Sequence, residues 1–166
     1  HVVENALFKI SYPAALHAQT AVEAAIKLHP LVRDRLDDIK RVELWTHATC
    51  ILMIDKQGPL HNFADRDHCL QYMVAIGLIF GGLTARDYED AVAADPRIDA
   101  LRAKMVVREG RRYSRDYLDP ARRSNANAVR VHFADGAMTP KMERVPPRPR
   151  LRDVGDLTII SSILPR

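Results

Sequence analysis

From Cys69 to Phe80 the chain is almost continuously apolar, and Gly81-Gly82 ends the run. Its longest uninterrupted part, Met73 to Phe80, falls well short of the ~20 residues that a membrane-spanning helix needs. A helix that is apolar on every side must be wrapped by the rest of its domain. The run therefore predicts a central core helix over Asp67–Phe80, around which the other elements have to be placed.

The flanking segments supply partners for such a helix. Ala21, Val22, Ala25, Ile26 and Leu28 recur at helical spacing, which predicts a one-face-buried helix over His17–Leu28 that ends at His29-Pro30. Thr20-Ala21-Val22-Glu23 fits a capping box, which would start that helix a few residues after His17 instead. Leu31 to Ile39 reads as one or two charged surface turns. Between Lys40 and Thr46, Val42, Leu44 and Thr46 alternate with Arg41, Glu43 and Trp45, the period of a half-buried strand. Ala48 to Ile54 either prolongs that strand or forms a short helix, and Asp55 to Asp67 reads as a loop. Thr84 caps a short helix carrying Tyr88 and Val92. Asp95-Pro96 opens another, with Asp as cap and Pro in the first turn.

Lys104–Arg108 reads as a further strand, Gly110 to Arg123 as a long basic loop, and Asn127–Ala134 as an alternating strand. Asp135-Gly136 signals a hairpin returning along Ala137–Val145. These elements predict an α+β domain with an antiparallel sheet and helices packed on one face. The domain is expected over residues 1–145. Residues 146–166 form an atypical tail, because Pro146, Pro147, Pro149 and their arginines suit neither a regular helix nor a central strand. Leu157 to Leu164 reads as a short aggregation-prone strand. A change of coding frame near Lys141 is one expected origin of the tail, and sequencing the coding DNA tests it.

The chain has 166 residues, enough for one domain with a workable core. Its 47% hydrophobic and 28% charged residues are ordinary for a globular protein. No signal-like arrangement opens it, and a start at His1 is expected of a trimmed product. The expected location is cytoplasmic, with no membrane partner. Cys50 and Cys69 lie far apart without CxxC spacing, so two reduced core thiols are expected, a disulfide being the alternative.

The stretch Phe8-Lys9-Ile10-Ser11-Tyr12-Pro13 precedes Ala14-Ala15-Leu16-His17-Ala18-Gln19-Thr20. Pro13 pushes Tyr12 toward extended geometry, so Lys9 and Tyr12 belong to a lead-in and His17 to the edge of the following helix. A helix start favours anions, and a lysine with a histidine there makes a corner for a carboxylate. The alternative is a surface lysine and a capping histidine in a plain loop.

This stretch resembles the MmgE/PrpD family. The resemblance extends through Ile54-Asp55-Lys56-Gln57-Gly58-Pro59-Leu60, Ala64-Asp65-Arg66-Asp67-His68-Cys69-Leu70-Gln71-Tyr72-Met73-Val74-Ala75 and Leu83-Thr84-Ala85-Arg86-Asp87-Tyr88-Glu89-Asp90. It continues through Asp95–Leu101 and Tyr117–Asn127, covering most of the chain from Val2 to Gly136. Members resemble a large helical domain followed by a smaller α+β domain, and the resemblance here is to the smaller one.

The resemblance implies a hydro-lyase that dehydrates a tricarboxylate, 2-methylcitrate, in propionate breakdown. It implies no cofactor and no iron–sulfur cluster, and two scattered cysteines agree with that. It implies that Lys9 clamps a substrate carboxylate and that His17 exchanges protons as the catalytic residue. Tyr12 would hydrogen-bond a carboxylate, with a packed aromatic as the alternative. Further acid/base groups would come from the helical N-terminal domain. The chain alone is then expected to be inactive, and an apolar docking patch is expected to make it a homo-oligomer.

His68 is expected to cap the core helix, His61 to be exposed or to line a cleft, and His132 to be exposed on a strand; His47 is a further histidine to weigh. Two other classes stay open. Arg108, Arg111, Arg112, Arg115, Arg122 and Arg123 with Tyr113 and Tyr117 suit nucleic-acid contact superficially. Glu109, Asp116 and Asp119 break that charge, so no nucleic-acid partner is expected. The last class is an orphan domain without chemistry.

Overall fold

The computed structural model describes residues 12–146. A 3-10 turn at Leu16–Ala18 leads into α1 (Gln19–Val32), followed by β1 (Ile39–Thr46), α2 (Ala48–Ile54), α3 (Phe63–Asp67) and α4 (Leu70–Phe80). A 3-10 turn at Ala85–Tyr88 precedes α5 (Asp90–Ala93) and α6 (Pro96–Arg102). Then come β2 (Met105–Glu109), α7 (Arg111–Leu118), β3 (Asn127–Phe133) and β4 (Met142–Arg144).

The core is built as the apolar run requires. Leu70 through Ile79 of α4 are all buried, and Gly81 ends the helix in the left-handed conformation at φ 71°. Glycine suits that end, since a side chain there would meet the His29 ring, which is held on the Leu78 carbonyl. α1 packs directly on α4, with Val22, Ala25 and Ile26 lying against Gly77. Beneath α1, Val42 and Leu44 of β1 with Val129 and Val131 of β3 complete the core. Asp95 accepts from the Arg97 N–H at 2.9 Å and Pro96 opens α6, as the sequence predicts.

The sheet has the order β2-β1-β3-β4 and is mixed. β1 pairs antiparallel with β3, Leu44 opposite Val129, but parallel with β2, Leu44 opposite Val107. The expected antiparallel sheet is corrected in that pair. Between the two strands the chain runs through α2 to α6, and a crossover of that length brings a strand back in the same direction. The returning strand after Gly136 is also shorter than expected: β4 is confined to Met142–Arg144, and Met138 makes only an isolated bridge to His132.

Four further expectations change. α1 continues past Pro30 to Val32, because Pro30 falls in the last turn and the buried Leu28 and Val32 hold that turn on the core. Residues 111–118 form a helix instead of a loop. α7 also covers part of the second sheet face, where Tyr113 packs with Ala126, Ala128 and Trp45, so helices are not confined to one side. His132 is mostly buried and bonds Glu43 at 2.8 Å, with Arg41 at 3.2 Å and Arg108 at 3.5 Å from the same carboxylate. Burial pushes the Glu43 carboxyl up, but His132 and the two arginines outweigh it and hold it below the usual range.

Candidate functional site

Four separate segments meet at one end of the sheet, where β1 finishes, α7 follows β2 and β3 begins. The first is the turn carrying His17. Its lead-in is fixed by Gln19, whose side-chain amide donates to the carbonyls of Tyr12 (2.8 Å) and Ala14 (2.7 Å). Tyr88 adds an O–H bond to the Pro13 carbonyl at 2.6 Å. Thr20 does not cap the helix; its hydroxyl donates to the Asn125 carbonyl at 2.6 Å, while Glu23 pairs with Arg144. His17 therefore lies in the 3-10 turn just before α1, half-buried.

Asn127, at the start of β3, donates from Nδ2 to the His17 carbonyl (2.9 Å) and to the Thr20 hydroxyl (2.7 Å). The His17 ring is fixed from three sides. Its Nδ1 lies 3.4 Å from Asn125 Oδ1, and its ring centre is 5.1 Å from that of His47 and 5.7 Å from that of Tyr117, edge-on to both. His47 and Tyr117 stack face to face at 4.0 Å with an 8° interplanar angle.

His47 directly follows β1 and caps α2, its Nδ1 accepting from the Cys50 N–H at 3.2 Å. A backbone N–H can only donate, so the neutral ring carries its hydrogen on Nε2. That Nε2 is sealed from solvent without a partner. Burial first, and then the neighbouring charge of His17, push the His47 pKa down to about 4 from 6.5, with the adjacent Asn125 side chain opposing them. Cys50 beneath them is equally inert: burial raises its thiol to about 12, Asp55 adding to this and Thr46 opposing it. Both cysteines are free and buried.

Of the residues singled out in the sequence, His17 is central to this cluster. Tyr12 is half-buried and packs against the main core. Lys9 lies outside the described residues, as does the tail from residue 147. His68 is exposed and pairs with Asp67 instead of capping α4, while His61 lines a cleft with Arg66, Tyr72, Asp90 and Asp99. Tyr113 is buried, and Arg108, Arg112, Arg115 and Arg122 are paired with carboxylates. Nothing in the sequence assigns a role to Asn125 or Asn127 or places His47. Tyr117, expected in a loop, lies on α7, and its i, i+4 spacing from Tyr113 is the sign of that helix in the sequence.

The profile of the MmgE/PrpD C-terminal domain matches residues 12–153. The chain is 57% identical over 141 residues, 83% of its length, to 2-methylcitrate dehydratase from Cupriavidus necator. It is 55% identical over 139 residues, 82% of its length, to 2-methylcitrate dehydratase from Escherichia coli (strain K12). Against 2-methylcitrate dehydratase, mitochondrial, from Yarrowia lipolytica (strain CLIB 122 / E 150), identity is 51% over 146 residues, 86% of the chain. The match spans 29%, 29% and 28% of those relatives respectively, under a third of each. With the α+β architecture and a profile match across most of its length, this chain belongs to the MmgE/PrpD family and is homologous to its C-terminal domain.

Proposed function

We propose that the chain is the C-terminal portion of a 2-methylcitrate dehydratase and contributes one wall of its active site. The observation that carries this reading is His17, half-buried at the edge of α1 and held by Asn125, Asn127 and two aromatic rings, in a chain more than half identical to enzymes of that name. Dehydration removes a proton from the carbon beside a carboxylate. The C–H electron pair becomes the double bond, and the hydroxyl leaves with a proton as water. His17 is the group for proton exchange at this wall. Lys9 would hold a carboxylate, and Tyr12 would add a hydrogen bond to it. The remaining acid/base groups would come from the larger part of the longer protein, so the chain alone should not turn over 2-methylcitrate.

Citrate or 2-methylcitrate titrated into the chain should shift the amide resonances of residues 9 to 20, with weak affinity. A half-site holding Kd near about 1 mM supplies only about 4 kcal/mol. Lys9→Ala should abolish those shifts. Perturbations centred elsewhere, or indifferent to that substitution, would rule out the corner.

The same elements carry exposed apolar side chains: Leu16 beside His17, Leu52 and Met53 on α2, and Leu118 beside Tyr117, at 42%, 83%, 60% and 72% exposure. Such a rim suits docking of the rest of the longer protein, or of a second copy where that is missing. Light scattering should show a dimer or larger species, and a clean monomer at high concentration would count against a docking patch.

A further inference from the structure

We propose that Asn125 and His47 are positioning residues for His17: together they fix the plane of its imidazole and place the hydrogen of the neutral ring on Nδ1. The inference rests on the reading of His17 as the proton-exchanging group. Its geometry comes from tertiary contacts that the function does not by itself require.

Asn125 is a fixed point. Its carbonyl accepts from Thr20 at 2.6 Å and from Asn127 Nδ2 at 3.3 Å, so its backbone is tied to α1 and β3 at once. Its side-chain oxygen faces His17 Nδ1 at 3.4 Å. An oxygen can only accept there, so it selects the form with hydrogen on Nδ1. The bond is long, and such contacts tighten when substrate binds. His17 Nε2 has no partner among the described residues and is not among the sealed polar atoms. The lone pair is thereby placed on the nitrogen that is free to exchange a proton with a substrate.

His47 supplies the orientation. It lies flat on Tyr117, and the His17 ring stands at 69° and 68° to that pair, which restricts rotation about the His17 side chain. Its own tautomer is dictated by the Cys50 N–H, so it presents an N–H edge and no competing lone pair to the site.

The experiment is long-range proton–nitrogen NMR of the histidine rings in this chain, in mildly alkaline solution. The wild-type His17 should show the Nδ1–H pattern. Asn125→Leu should lose it, because free imidazole in water favours hydrogen on Nε2, and Asn125→Asp should restore it by returning an acceptor oxygen. His47→Asn keeps the helix cap, since asparagine is a strong N-cap, but removes the ring. It should blur the His17 pattern into an average of the two forms. An Nε2–H pattern in the wild type overturns the proposal, even if a variant fails to fold, as does a pattern unchanged in Asn125→Leu. An Nδ1–H pattern in a chain that ignores citrate supports the positioning while overturning the carboxylate reading, which keeps the two failures distinct.

Discussion

Gly77→Leu should destabilise the domain by more than about 3 kcal/mol, a large part of the roughly 5–15 kcal/mol that holds a typical domain together. Gly77 sits on α4 where α1 crosses it. A Cβ built there would lie 2.9 Å from Ala25 Cβ and 3.5 Å from both the Ile26 nitrogen and the Val22 carbonyl. The first distance is closer than real Cβ atoms approach, and all three neighbours belong to α1 and not to the tip of a flexible chain. Even Gly77→Ala must push the helices apart. Its gain in helix propensity, about 1 kcal/mol, should be outweighed by overpacking of about 1–3 kcal/mol. Ala25→Gly removes the offending atom, so the double variant should be less destabilised than the sum of the two single ones. Urea denaturation of all four proteins closes the cycle. Stabilisation by Gly77→Ala would show that the helices are not in contact there. The effect reaches the site, because α1 begins directly after the turn that carries His17, and any shift of α1 carries that turn with it.

The same contact explains why this part of the fold was legible. An apolar run closed by Gly81-Gly82 leaves little choice but a buried helix, and α4 occupies Leu70–Phe80 within the expected span. β1 and β3 announce themselves by strict alternation. α7 did not, because Arg111, Arg112, Arg115 and Asp116 hide an apolar signal of two tyrosines and a leucine. The parallel pairing of β1 with β2 is set by where the long crossover delivers the chain, which local periodicity does not encode. His17 could be found from its motif, but Asn125 stands 108 residues away, and only the fold brings its oxygen to the ring. His47 had no motif at all. What marks it is burial beside a stacked tyrosine, both of them tertiary facts, together with a local cap on α2.

His47 should also write itself into the acid stability of the protein. The unfolded chain takes up a proton there near pH 6.5, whereas the folded ring, fully buried, resists until about 4. Between those values the unfolded state binds more protons, so stability rises with pH and is lost on acidification from about 6.5 downward, the loss being complete below about 4. A shift of that size corresponds to about 3 kcal/mol. Protonation would put a hydrogen on Nδ1 against the Cys50 N–H, so the cap of α2 is lost with the charge penalty. Carboxylates held low by partners, Asp65 by Lys56 and Asp95 by Arg97 among them, also weaken the fold in acid, but only as pH falls below their ordinary range near 3.8. The two windows are therefore separable. In chemical denaturation from pH 7.5 to 4, the wild type should lose stability steadily through the upper window. His47→Asn, which keeps a capping acceptor but does not titrate, should stay nearly flat until the carboxylates respond. Parallel curves for the two proteins down to pH 4 would mean that His47 takes up its proton as readily folded as unfolded, and that the sealed Nε2 is open to water after all.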